Sequence, residues 1–318
     1  MAEVSAIEWT DATFNPWIGC TKISPACDHC YAEDWAKRYG WPAWGGERRR
    51  TSASTWRQPV KLNAKAIAEG RRIRVFCASL ADVFDNQVPA EWRDDLWSLI
   101  RTTPALDWLL LTKRPQNIAK MLPADWGAGY PNVSLGTTVE DQERADKRIP
   151  ALLAAPAVRR FLSCEPLLGA VDLQRWLERC HGASDGDCFY SRCPQLRDDE
   201  PKRTGRHCPL DSWHDWRGGD EPDHPLLDWV ITGGESGAQA RPSHPDWFRS
   251  LRDQCAAAGV PFLFKQWGEW LPVGHHQPGE RVGDRCHVFD DGLVMARVGK
   301  KTAGRFLDGV LHDAFPHG

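Results

Sequence analysis

The chain has 318 residues and a formal charge of −3, with a pI near 6.4, which excludes a protein that coats nucleic acid through bulk positive charge but not a local basic patch. With 42% hydrophobic and 26% charged residues, it has the make-up of a globular chain able to bury its own core. No apolar run approaches the roughly 20 residues needed to span a bilayer, and no basic-then-apolar leader opens the chain, so no membrane partner and a cytoplasmic location are expected.

Eleven cysteines, an odd number, point in that compartment to metal or redox chemistry rather than disulfides. The seventeen tryptophans are scattered and read as packing residues.

In chain order, Ile7 to Trp17 reads as a short strand that feeds a loop, Gly19-Cys20-Thr21-Lys22-Ile23-Ser24-Pro25-Ala26-Cys27-Asp28-His29-Cys30. Cys20, Cys27 and Cys30 are spaced C-x6-C-x2-C, and Gly19 with Ser24-Pro25 supplies turns that let the loop wrap its thiolates round one centre. Three thiolates on a four-iron cluster leave one iron free for a small molecule, whereas a closed structural site takes four ligands. Tyr31 to Tyr39 has helical composition, broken by Gly40 to Gly46. Glu47-Arg48-Arg49-Arg50 reads as a solvated loop in preference to a phosphate-binding patch.

From residue 73 a repeated grammar sets in: a short apolar strand, a polar cluster at its C-terminal end, then a helical stretch. The strands are Ile73 to Ala78, Trp108 to Leu111, Val133 to Leu135, Arg160 to Leu162, Trp229 to Ile231 and Pro261 to Phe264. Helices are expected at Glu91 to Arg101, Glu140 to Ala154 and Pro245 to Ala258. The fold class is therefore α/β, a barrel-like parallel sheet of six to eight strands forming a full or partial TIM-type (β/α) barrel in one domain over residues 1–318.

Reactive residues of such folds lie just past the strand C-termini. That rule selects Ser79, Asp82, Thr137, Glu140, Glu165, Gly233, Gly234, Glu235 and Lys265 as residues that bind a cofactor or other polar ligand. Gly233-Gly234 would let backbone approach the ligand and Glu235 would contact it.

Residues 176–226 interrupt the grammar with a polar insert that holds Cys180, Cys188, Cys193 and Cys208. A zinc staple and unligated thiols are equal alternatives there, since the spacings match no standard zinc motif. Cys77, Cys164, Cys255 and Cys286 read as core residues, and residues 268–318 as a mixed C-terminal extension.

Ile7-Glu8-Trp9-Thr10-Asp11, the cysteine loop with Tyr31-Ala32-Glu33, Gly233-Gly234-Glu235-Ser236-Gly237, Ala240-Arg241-Pro242, Lys265-Gln266-Trp267-Gly268-Glu269 and Leu307-Asp308-Gly309 together resemble the phage Gp37/Gp68 family of uncharacterised proteins. The resemblance covers nearly the whole chain. It implies a phage or prophage protein, at work in the host cytoplasm, with a three-cysteine motif similar to that of radical S-adenosylmethionine (SAM) enzymes. Those usually carry C-x3-C-x2-C with an aromatic residue before the third cysteine; here the first gap is longer, and His29 stands in that place. On this reading Cys20, Cys27 and Cys30 hold a [4Fe–4S] cluster and SAM chelates the open iron. One electron from an external donor then cleaves the sulfonium to a 5′-deoxyadenosyl radical. The substrate is unidentified; a phage setting suggests nucleic acid or a nucleotide. Two other classes stay open: a non-radical zinc or iron–sulfur module acting in phage nucleic-acid metabolism, and a metal-assisted hydrolase built on Asp82, Glu140 and Glu165.

Overall fold

A computed structural model describes residues 5–41, 44–177, 226–275 and 283–316. The apolar runs become strands buried on both faces, β1 (Ala12–Phe14), β2 (Ile73–Cys77), β3 (Leu106–Thr112), β4 (Val133–Thr138), β5 (Arg159–Cys164), β6 (Trp229–Gly233) and β7 (Phe262–Gln266). They pair in sequence order, every pair parallel, and the sheet curls into a half-barrel, a partial TIM-type barrel.

Alternation along the strands splits the core. Val75, Cys77, Trp108, Leu110, Leu135 and Leu162 face the helices, while Trp9, Phe76, Leu109, Phe161, Trp229, Ile231 and Leu263 fill the concave side. Gly136 makes room there: a Cβ on it would lie 2.4 Å from the Phe161 ring.

Helices α1 (Tyr31–Arg38), α2 (Gln58–Ala68), α3 (Ala90–Arg101), α4 (Gln142–Leu153) and α5 (Pro245–Ala258) connect the strands. In α5 Pro245 opens the helix under a His244 cap, and Gly259, at φ 67°, ends it in the left-handed conformation that costs glycine little. Helix α2 had no clear signal in the sequence.

Past β7 the extension folds into a three-stranded antiparallel sheet of β8 (Trp270–His275), β9 (Cys286–Val288) and β10 (Leu293–Arg297), with β10 central. The chain then returns along the open edge of β7, where Phe264 N donates to His312 O at 2.9 Å and Leu263 bridges Asp313 antiparallel.

Of the 176–226 insert, Trp176 and Leu177 close a short helix and Leu226 is described. Cys180, Cys188, Cys193 and Cys208 lie outside the described residues. Among the described residues no helix is long and apolar enough to cross a membrane.

Candidate functional site

The loop after β1 is placed by its turn residues. Gly19, at φ 113°, donates its N–H to Leu80 O at 3.1 Å, which ties the loop entrance to the segment after β2. Cys20 follows in irregular backbone, Ser24-Pro25 starts a one-turn 3-10 helix at Pro25–Cys27, and Cys30 stands at the N-cap position of α1 without a side-chain capping bond. Cys20, Cys27 and Cys30 all line one cavity of about 330 Å³ at the C-terminal end of the sheet. The other described thiols do not line it: Cys77 and Cys164 are fully buried in β2 and β5, Cys255 is buried in α5, and Cys286 belongs to β9.

Four arginine–carboxylate pairs hold or flank this loop. Arg114 Nη1 donates to Cys20 Sγ at 3.5 Å and to Asp82 at 3.0 Å, while its Nη2 donates to Thr21 O at 2.8 Å. Arg48 bonds Asp85 and, at 2.7 Å, Thr21 Oγ1. Arg241 grips Glu235 through its backbone and side chain, reaches Pro25 O at 2.9 Å and pairs with Asp28 at 3.1 Å. Arg148 pairs at 2.7 Å with Glu140, whose other oxygen accepts from Ala26 N at 3.4 Å. His29 Nδ1 also lies 3.2 Å from Glu235.

This layout assigns the selected rim residues unevenly. Ser79, Asp82, Glu165, Gly234, Glu235 and Lys265 line the cavity; Thr137, Glu140 and Gly233 do not. Thr137 sits on the helix-facing side of β4 and donates to Thr112 O at 2.9 Å. Glu140 is fully buried beneath the cysteine loop. Both oxygens of Glu235 accept hydrogen bonds from Arg241, so the carboxylate is spent on the loop. Gly234 serves backbone crossing: a Cβ on it would lie 1.9 Å from Trp267 O. Arg48 is buried at 4% exposure, contrary to the solvated loop expected for the arginine run, because it has Asp85 as a buried partner; Arg49 is exposed and lies over Trp41.

Electrostatics follow these contacts. Burial pushes the Cys20 thiol up to about 11, Asp82 adds to the rise, and the Arg114 guanidinium opposes it. Burial would raise the Glu235 carboxyl, but Arg241's hydrogen bonds hold it below the usual range. Burial raises the Tyr31 phenol, which donates to Ser79 O at 2.6 Å although the residue as a whole is 55% exposed.

Each carboxylate of the hydrolase reading is already matched by a cation, Asp82 by Arg114, Glu140 by Arg148, and Glu165 by Lys265 at 2.7 Å. Among the described residues no three His, Cys, Asp or Glu are grouped to hold a metal ion. The sequence reading missed Arg48, Arg148 and Arg241 as loop holders; the Ala240-Arg241-Pro242 motif was the one available signal.

No curated protein matches the chain. Among solved structures, a double mutant of spore photoproduct lyase with bound AdoMet and dinucleoside spore photoproduct aligns over 92% of this chain and 70% of its own, at 11% identity and a TM-score of 0.38. A single mutant of the same lyase aligns over the same shares at 12% identity and a TM-score of 0.39. A family model described as a protein of unknown function, DUF5131, matches residues 4–316. Matched over nearly all of its length, the chain belongs to the DUF5131 family.

Proposed function

We infer that this chain is a radical SAM enzyme of the phage Gp37/Gp68 type, in which Cys20, Cys27 and Cys30 hold a [4Fe–4S] cluster with one iron open. The observation that carries this reading is that the three thiols of one loop line one cavity while every other described cysteine lies elsewhere. Three thiols with no fourth described cysteine in the cavity suit a four-iron cluster that keeps one iron open, whereas a closed structural zinc site takes four ligands.

When bound, the cluster with SAM supplies one-electron cleavage of the sulfonium, and so a carbon radical able to take a hydrogen atom from substrate. The chain's own residues do the positioning. Arg114 donates to the Cys20 sulfur, and Arg241 fixes the Pro25 turn between Cys20 and Cys27. The loop is thus shaped by ion pairs that need no metal. Glu165 and Lys265 line the cavity as a mutual ion pair at 2.7 Å. Trp9, Phe76 and Leu111 line the same cavity with apolar surface, which keeps water from a reactive radical.

The test is anaerobic purification of the full chain with iron and sulfide analysis, followed by an assay for 5′-deoxyadenosine with SAM and dithionite. About four irons and four sulfides per chain and reductant-dependent 5′-deoxyadenosine are expected, both lost when Cys20, Cys27 and Cys30 are changed to Ala. A colourless protein containing zinc ends this reading.

A further inference from the structure

Two residues that line the cavity each bury a polar atom that has no hydrogen-bond partner among the described residues. Trp9 Nε1 and Thr138 Oγ1 make no hydrogen bond, their residues are 2% and 0% exposed, and both residues line the cavity. A buried donor left unpaired costs stability, so such a group on a cavity-lining residue is a candidate partner for a ligand's polar atom. Trp9 offers only a donor and needs an acceptor; the Thr138 hydroxyl serves as either. Around them Phe76 and Leu111 supply apolar wall. A ring with apolar faces and polar atoms on its edge fits that combination.

The charges of the cavity select a second part of the ligand. Its carboxylates are each answered, Asp82 by Arg114, Glu165 by Lys265 and Glu235 by Arg241. Lys113 and Lys300 line the same cavity, and among the described residues neither ammonium has a carboxylate partner. The cavity therefore carries an excess of positive charge beside its apolar wall, which attracts an anionic group.

We propose that the substrate of this cavity is a nucleotide unit, its base seated against Trp9, Phe76 and Leu111 with the Trp9 N–H and the Thr138 hydroxyl on its edge, and its phosphate facing Lys113 and Lys300. The role as substrate rests on the radical reading above, whereas binding does not require the cluster. A free nucleotide and one residue of a single strand share this chemistry.

The experiment is equilibrium dialysis of the full chain against the four 2′-deoxynucleosides, their 5′-monophosphates and a mixed-sequence single-stranded decanucleotide, with and without saturating SAM. At least one monophosphate is expected to bind about tenfold tighter than its nucleoside, a margin removed by Lys113→Ala with Lys300→Ala. Thr138→Val, which keeps the side-chain shape, should weaken nucleoside and monophosphate by the same factor, and SAM should leave both bound. Tighter binding of the decanucleotide than of any monophosphate assigns the site to a strand; the reverse assigns it to a free nucleotide. Equal affinity for nucleoside and monophosphate, a margin that survives the double lysine change, or displacement of the base by SAM overturns the proposal. Iron analysis of the same samples judges the cluster separately.

Discussion

Gly234 and Gly268 cross so closely that a Cβ on the first would lie 1.9 Å from Trp267 O and one on the second 2.1 Å from Glu235 O. Gly234 N donates to Gln266 O at 2.9 Å and Glu269 N to Glu235 O at 3.0 Å, locking the ends of β6 and β7 together. Backbone cannot retreat as a flexible side chain can. Gly234→Ala is therefore expected to cost at least about 3 kcal/mol, the upper range for overpacking, in urea unfolding of the full chain. A cost below 1 kcal/mol, on the order of an ordinary surface change, would contradict this account of the motif.

Among the described residues, Arg241 is the one side chain that bonds Glu235, Asp28 and the Pro25 carbonyl together. Arg241→Ala leaves Glu235, whose side chain is 5% exposed, without its main partner; breaking a buried pair from one side typically costs about 3 kcal/mol. Arg241→Lys should recover little, since an ammonium cannot make the forked contact. On the cluster reading proposed above, iron retained per chain after gel filtration should fall in both variants, and normal retention in Arg241→Lys would show that the fork is dispensable.

Asp308 pairs with Arg249 and Arg252 on α5. Hydrogen bonds from Arg249 and then Arg252 outweigh burial and hold its carboxyl down to about 2. A folded value below the unfolded one means that the pair stabilises above about pH 4, and that this contribution fades as pH falls toward the folded value. Its side chain is 37% exposed, so solvent screens the effect. Asp308→Asn keeps a residue that tolerates the positive φ of 53°. The variant should lose stability at neutral pH and show a flatter decline in thermal midpoint between about pH 4 and 2; parallel curves would refute the assignment.

His244 joins α5 to the small antiparallel sheet. Its Nδ1 accepts from Asp246 N at 3.2 Å as the helix cap, which leaves Nε2 to donate to Asp291 at 3.0 Å. His244→Asn can still cap, whereas His244→Ala loses cap and tether. The expected order of stability is wild type, then Asn, then Ala, with about 1 kcal/mol between the variants. Urea midpoints that do not separate Asn from Ala would count against the cap.

The half-barrel was legible because strands buried on both faces read as unbroken apolar runs. The cysteine loop was legible because turn residues and thiols occur together. What could not be read was the face each strand-end residue takes. Thr137 and Thr138 are neighbours in β4, yet only Thr138 lines the cavity, and place along the strand does not tell the two apart. Nor could the sequence pair Asp82 with Arg114, 32 positions on, since acid and base alike read as polar ends of strands. Helix α2 and the small sheet of β8, β9 and β10 escaped because neither is flanked by the strong apolar periodicity that marks the main sheet.

Trp9 from before β1, and Phe315 with Ala314 from beyond residue 311, meet on the concave side. Trp229 contacts Trp9 at 6.4 Å between ring centroids and Phe315 at 5.2 Å, and its indole N–H donates to Ala314 O at 2.9 Å. Segments about 300 positions apart in sequence thus seal one wall. During synthesis, Trp9 and Phe76 emerge from the ribosome long before residues 312–315 exist. The nascent half-barrel must wait with the Phe315 side of Trp229 and the edge of β7 uncovered, open to a chaperone or to a second nascent chain, until those residues are made.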